Sequence, residues 1–119
     1  MFQENGLVNE RLEPIISLKL ANGLQIDCLI DTGFYGTLFI PREIVEKCNF
    51  EIGDKEFLQA AENQVFEVDT ATIDVIWLGD NFSITVYITD SDDILLGSEM
   101  LIDAKLEIDY KDLSVKITK

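Results

Sequence analysis

Asp31, Thr32 and Gly33 are the residues whose types and order best suit chemistry. They follow Ile26-Asp27-Cys28-Leu29-Ile30, an apolar run rich in β-branched residues that reads as a strand heading into a core. A buried strand that ends on a carboxylate must pair the charge, hydrogen-bond it or use it. Gly33 has no Cβ, so the backbone can turn there and another group can come close. The Thr32 hydroxyl both donates and accepts, so it can tie the loop to a neighbour. The same three residues also suit a plain strand followed by an Asx-type turn. The chain contains no histidine, which excludes Ser-His and Cys-His nucleophiles and the common His-ligated zinc sites. Chemistry here must run on carboxylates.

The other acidic groups suit that role less well. Asp90-Ser91-Asp92-Asp93 lacks the ligand spacing and terminal Glu of a calcium loop and reads as a solvated turn. Asp27 lies on the polar side of its strand, and Asp103, Asp109 and Asp112 read as surface acids beside Lys105 and Lys111. Trp77 reads as core. No metal site and no cofactor is expected.

The elements that must position Asp31 follow from alternation. Ile16, Leu18 and Leu20 mark a half-buried strand, Asn22-Gly23 a tight hairpin, and Leu24, Ile26, Cys28 and Ile30 the return strand. Thr37 to Ile40 reads as a short strand, and Pro41 to Lys47 as a helix with Pro in its first turn. Phe57 to Val68 reads as a hairpin around Ala61-Glu62-Asn63-Gln64, with Asn63 in a left-handed conformation. Ile73, Val75 and Trp77 form a strand closed by a turn at Gly79-Asp80-Asn81. In the next strand Phe82, Ile84, Val86 and Ile88 alternate with Ser83, Thr85, Tyr87 and Thr89. Ser98 is placed to cap a helical turn. Two last alternating segments, Leu106 to Tyr110 and Leu113 to Ile117, flank a turn near Lys111-Asp112. The expected fold is all-β, mostly strands with one or two short helices, in a small closed or nearly closed barrel.

Composition sets the outer bounds. A chain of 119 residues with 47% hydrophobic residues is expected to form one globular domain over residues 1–119. Residues 1–13 are polar and read as an irregular arm, either flexible or ordered at an interface. A net charge of −14 argues against nucleic acid and against anionic membrane surfaces as partners. No apolar run is long enough to span a bilayer, and the first residues have neither a basic flank nor an apolar signal core. Cys28 and Cys48 form no Cys-x-x-Cys pair, and Cys28 reads as a buried thiol in a reduced compartment. The expected location is the cytoplasm.

Asp31-Thr32-Gly33 resembles the catalytic triplet of the retropepsin-like (clan AA) aspartic proteases. The longer run Asp31-Thr32-Gly33-Phe34-Tyr35-Gly36, followed by Leu38-Phe39-Ile40-Pro41, is similar to a small prokaryotic subfamily marked by Asp-Thr-Gly-Phe. Ile94-Leu95-Leu96-Gly97-Ser98-Glu99-Met100-Leu101 resembles the hydrophobic-hydrophobic-Gly signature before the C-terminal helix of that fold. The likeness covers residues 14 to 118. It implies a single-lobe acid-protease barrel with Asp31 catalytic, Thr32 and Gly33 completing its loop, and Leu95, Leu96 and Gly97 forming the second motif. It also implies that Ala60, Ala61, Glu62 and Asn63 form a flap over a peptide or protein substrate.

Aspartic proteolysis needs two carboxylates that share a proton, and the chain offers one Asp-Thr-Gly. The likeness therefore implies a twofold homodimer. Open strands near residues 1 to 10 and 113 to 119 are its natural pairing surfaces. The alternative is a catalytically silent domain of the same fold that serves binding or assembly. Retention of Asp31 favours the endopeptidase, and the glycine-poor hairpin tip favours the alternative.

Overall fold

Alternating hydrophobicity becomes strands throughout the computed structural model, which describes residues 1–59 and 61–119, the side chain of Ala61 excepted. The strands are β1 (Gln3–Val8), β2 (Pro14–Leu20), β3 (Gln25–Ile30), β4 (Leu38–Pro41), β5 (Glu51–Ile52) and β6 (Glu56–Gln59). They continue as β7 (Val65–Val68), β8 (Thr70–Trp77), β9 (Asp80–Thr89), β10 (Leu95–Leu96), β11 (Lys105–Asp109) and β12 (Ser114–Thr118). Among the described residues one α-helix, α1 (Arg42–Lys47), starts directly after Pro41, and 3₁₀ turns span Ala61–Asn63 and Ser98–Leu101.

Six strands close on themselves. Their order is β2-β3-β10-β4-β9-β8, and β8 returns to β2 through Lys19↔Ile76 and Leu20↔Val75. Every second residue of these strands faces inward: Ile16, Leu18 and Leu20 from β2, Ile26, Cys28 and Ile30 from β3. Ile73, Val75 and Trp77 from β8 meet Ile84, Val86 and Ile88 from β9 in the same core. Each such aliphatic side chain contributes about 1.5–3 kcal/mol when fully buried, so the barrel interior is the main source of stability. Trp77 is 3% exposed and its indole N–H donates to Met100 O at 2.9 Å, a satisfied core residue as its position in the strand pattern suggests.

The N-terminal segment departs from the sequence reading. Residues 3–8 are no irregular arm: β1 lies between β2 and β12, in ladders running Gly6↔Ile16 to Val8↔Pro14 and Gln3↔Thr118 to Leu7↔Ser114. β12 is likewise flanked on both sides, by β1 and β11. The open edge on this side of the sheet belongs to β11, not to β1 or β12, so the termini pair with each other within one chain.

Two local readings are also corrected. The β8–β9 turn is Leu78-Gly79, with φ of 48° and 84°, and Trp77↔Asp80 closes the ladder. Asp80 and Asn81 therefore already belong to β9. Leu78 takes the left-handed strain because its side chain is buried and its N–H is taken by the Glu4 carboxylate at 3.0 Å. The turn Ser98–Leu101 is capped by Gly97 without a side-chain bond, because the Ser98 hydroxyl donates elsewhere, to Phe34 O.

Strands β6 and β7 form a separate two-stranded sheet that projects from the barrel. No described helix is long and apolar enough to cross a membrane.

Candidate active site

The Asp31 loop is framed by an unusual threading. β10 runs parallel to β3 (Leu95↔Leu29, Leu96↔Ile30) and antiparallel to β4 (Leu95↔Phe39, Leu96↔Leu38). It thus fills the gap between the two strands that residues 31–37 connect. The Asp31 N–H continues the β10 ladder by donating to Leu96 O at 2.9 Å. Asp31 Oδ1 accepts the Gly33 N–H at 3.0 Å, and Asp31 O accepts the Phe34 N–H at 3.1 Å. The Asx-type turn that these residues suit is present, and it fixes the carboxylate. Asp31 is half-buried, Thr32 and Gly33 are exposed, and no cation among the described residues pairs with Asp31.

The second motif locks that loop from the other side. Gly97 N–H donates to Thr37 O at 2.8 Å, Ser98 N–H to Phe34 O at 2.8 Å, and Glu99 N–H to Gly36 O at 3.2 Å. The buried Thr37 hydroxyl donates to Thr85 O at 2.5 Å. A Cβ on Gly97 would fall 2.7 Å from Phe34 O and from Phe34 Cδ2, and nearer still to Gly36 O. Only glycine lets the two loops approach this closely.

Beyond the loop the backbone opens a cleft of about 380 Å³. Its floor is an aromatic trio, with ring centroids 4.6 Å apart for Phe34–Phe39, 5.6 Å for Phe39–Tyr87 and 6.0 Å for Phe34–Tyr87. Leu58 and Phe66, cross-strand partners in the β6–β7 hairpin, face it from above, and Glu99 stands at its rim. Gly33 lines the same cleft, which joins it to the Asp31 loop. Burial raises the Tyr87 phenol above its usual value, and the charges of Glu56 and Glu99 add to the rise. A larger hollow of about 570 Å³ lies between β3 and α1, lined by Leu24, Ile26, Ile44 and Cys48. It is mostly aliphatic and holds no carboxylate, so the smaller cleft is the better candidate.

The hairpin is anchored at its root. Asp69 bonds Lys55 at 2.7 Å and Arg42 at 2.9 Å, and these two cations hold its carboxyl below the usual carboxylate range. The Thr70 hydroxyl donates to Asp54 O at 2.5 Å on the facing side. At the tip Glu62 and Asn63 are exposed with φ of 63° and 61°, so the left-handed conformation expected at Asn63 extends to Glu62. Ala60 lies outside the described residues, and for Ala61 only the backbone turn is described.

The fold brings Asp31, Thr32 and Gly33 together with Leu95, Leu96 and Gly97, the two motifs that the family likeness picks out. The sequence reading does not single out Leu58 or Phe66, and it takes Phe39, Glu99 and Tyr87 only as members of a motif or a strand. Tyr87 sits on the polar side of β9 in the alternation, and an aromatic among Ser83, Thr85 and Thr89 was the one available signal.

The barrel, the threaded β10 and the projecting hairpin together define a retropepsin-like fold. A retropepsin-like aspartic protease from Rickettsia conorii has a TM-score of 0.68 and 22% identity over 97% of this chain and 89% of that one. EIAV protease, in its complex with the inhibitor HBY-793, has a TM-score of 0.55 and 19% identity over 80% and 90% of the two chains. The retroviral protease-like domain of Ddi1 from Leishmania major has a TM-score of 0.51 and 15% identity over 83% and 82%. No protein-family model and no curated protein matches the sequence.

Proposed function

We propose that the chain is an aspartic endopeptidase of retropepsin type that hydrolyses extended peptides as a homodimer. On the run Asp31 to Phe34 we assign it to the small prokaryotic group marked by Asp-Thr-Gly-Phe. The observation that carries the reading is the Asp31 carboxylate, fixed by the Gly33 N–H and the β10 ladder, beside a cleft overhung by a hairpin. One Asp31 acts as base on a water molecule while the second, protonated, polarises the scissile carbonyl. The exposed Thr32 and Gly33 supply the surface on which two such loops meet, and the Thr32 hydroxyl bonds across the twofold axis. Residues 60–63 cover the bound peptide. No cofactor enters this chemistry, and a cytoplasmic location suits the free thiols.

Because two adjacent carboxyls share one proton, cleavage follows a bell-shaped pH profile with its optimum on the acid side of neutrality. The test is a panel of unstructured peptides assayed with the native chain and with Asp31→Asn, alongside sedimentation analysis. Asp31→Asn is expected to remove cleavage and leave the fold and the dimer in place. Cleavage that survives the substitution refutes the assignment to Asp31. A chain that is monomeric at high concentration and cuts nothing supports the silent binding module instead.

A further inference from the structure

The cleft beside Asp31 has a chemistry of its own. Its floor of three aromatic rings and its roof of Leu58 and Phe66 accept a long, flat or aliphatic group edge-on. Glu99 is its acidic lining residue. Its backbone is pinned by the bond to Gly36 O, while its exposed side chain has no ion-pair partner among the described residues. None of the described lining residues is basic. The nearby cations are committed elsewhere: Lys55 to Asp69 and Glu67, and Arg42 to Asp69 and Asp90. The charges of both Glu56 and Glu99 reach the Tyr87 ring, so the field there is negative.

We propose that this cleft is a specificity pocket for an arginine side chain of the peptide substrate, with lysine a weaker second. The inference rests on the protease reading of the neighbouring Asp31 loop. The aliphatic stem lies between the aromatic floor and the Leu58–Phe66 roof, and the guanidinium stacks on a ring face and meets Glu99. Arginine is favoured over lysine because its planar, weakly hydrated fork both stacks and pairs with a carboxylate. An aliphatic residue fills the same volume but offers the Glu99 carboxylate no partner, and an acidic one is repelled. The net charge of −14 adds a long-range pull on cationic peptides.

The test uses one peptide scaffold carrying Arg, Lys, Leu or Glu at a single position, walked along the sequence. The native chain is assayed for kcat/KM, and Asp31→Asn for binding by fluorescence anisotropy. At one position Arg is expected to exceed Leu about tenfold, the scale of a partly exposed charged contact on aromatic rings. Glu99→Gln is expected to cut the Arg-to-Leu ratio about fivefold, and Glu99→Lys to invert the preference toward Glu, with folding checked by circular dichroism. Cleavage without any position that prefers Arg, or a preference unmoved by both Glu99 substitutions, overturns the pocket and leaves the protease reading standing. Arg-selective binding by Asp31→Asn without cleavage by the native chain keeps the pocket and refutes hydrolysis. Absence of both cleavage and selective binding overturns both.

Discussion

Replacing Gly97 by alanine adds a single methyl group, and the structure assigns it a large effect. The new Cβ would stand 2.7 Å from Phe34 O and Phe34 Cδ2 and closer still to Gly36 O. A comfortable carbon–oxygen contact is roughly 3.4 Å or more, so relieving the contact with Gly36 O requires the two loops to separate by more than about an ångström. Phe34 and Gly36 offer backbone atoms at the contact, and these move only with the loop. The separation strains Gly97 N–H to Thr37 O, Ser98 N–H to Phe34 O and Glu99 N–H to Gly36 O together. Overpacking costs about 1–3 kcal/mol, and weakening hydrogen bonds worth about 1 kcal/mol each brings the expected loss to about 2–4 kcal/mol. Urea unfolding of Gly97→Ala should therefore shift its midpoint sharply at unchanged m-value, with Tm falling by roughly 10 °C. Peptide cleavage should fall as well, because the same bonds hold the Asp31 loop. A loss below about 0.5 kcal/mol would refute the claim that this interlock sets the loop.

Thr37→Val keeps the shape but removes the donor to Thr85 O, and should cost about 1–2 kcal/mol in chemical denaturation. Burial, with a smaller push from Asp27, moves the Cys28 thiol up to about 12, whereas Cys48 is only half-buried. Iodoacetamide should therefore alkylate Cys48 first in the folded chain, and equal rates in peptide mapping would contradict the buried-thiol assignment. The Asp69 carboxyl is held below its unfolded value by Lys55 and Arg42, so its contribution is complete above about pH 4 and disappears as pH falls through the lower, folded value. Asp69→Asn should accordingly lower the urea midpoint at neutral pH and match the parent in strong acid, while an equal deficit at both would refute the ionic account.

The legible parts of this fold are those in which one face is buried. In β2, β3, β8 and β9 the period-two pattern coincides with the inward residues, so sequence and burial carry the same information. β1 shows the converse. Of Gln-Glu-Asn-Gly-Leu-Val only Val8 is buried, and ladders on both sides hold the strand instead of an apolar stripe. Hydrophobicity cannot report a strand held in that way. β10 is two residues long, and its partners lie far away in sequence, so only the likeness of Leu95-Leu96-Gly97 to a known motif pointed to its place beside Asp31. The cleft was illegible for a related reason. Phe34, Tyr87 and Glu99 come from three separate segments, and no local pattern brings them together. The sequence points to a turn at Gly79-Asp80-Asn81 instead of Leu78-Gly79 because Asp80 and Asn81 are better turn formers than a buried leucine.

The pairing of β1 with β12 joins segments far apart in sequence. Gln3 meets Thr118 at almost the full separation the chain allows, whereas the barrel closes through strands between Pro14 and Leu96. Contacts this distant are the slowest to form, since the whole intervening chain must first be restrained. During synthesis β1 and β2 emerge long before β12, so β1 waits on β2 with one hydrogen-bonding edge bare. The side chains of that edge are mostly polar, with Gln3, Glu4 and Asn5 in its first half, which discourages pairing with a neighbouring nascent chain during the delay. The same polar composition that hid this strand in the sequence protects it until its last partner arrives.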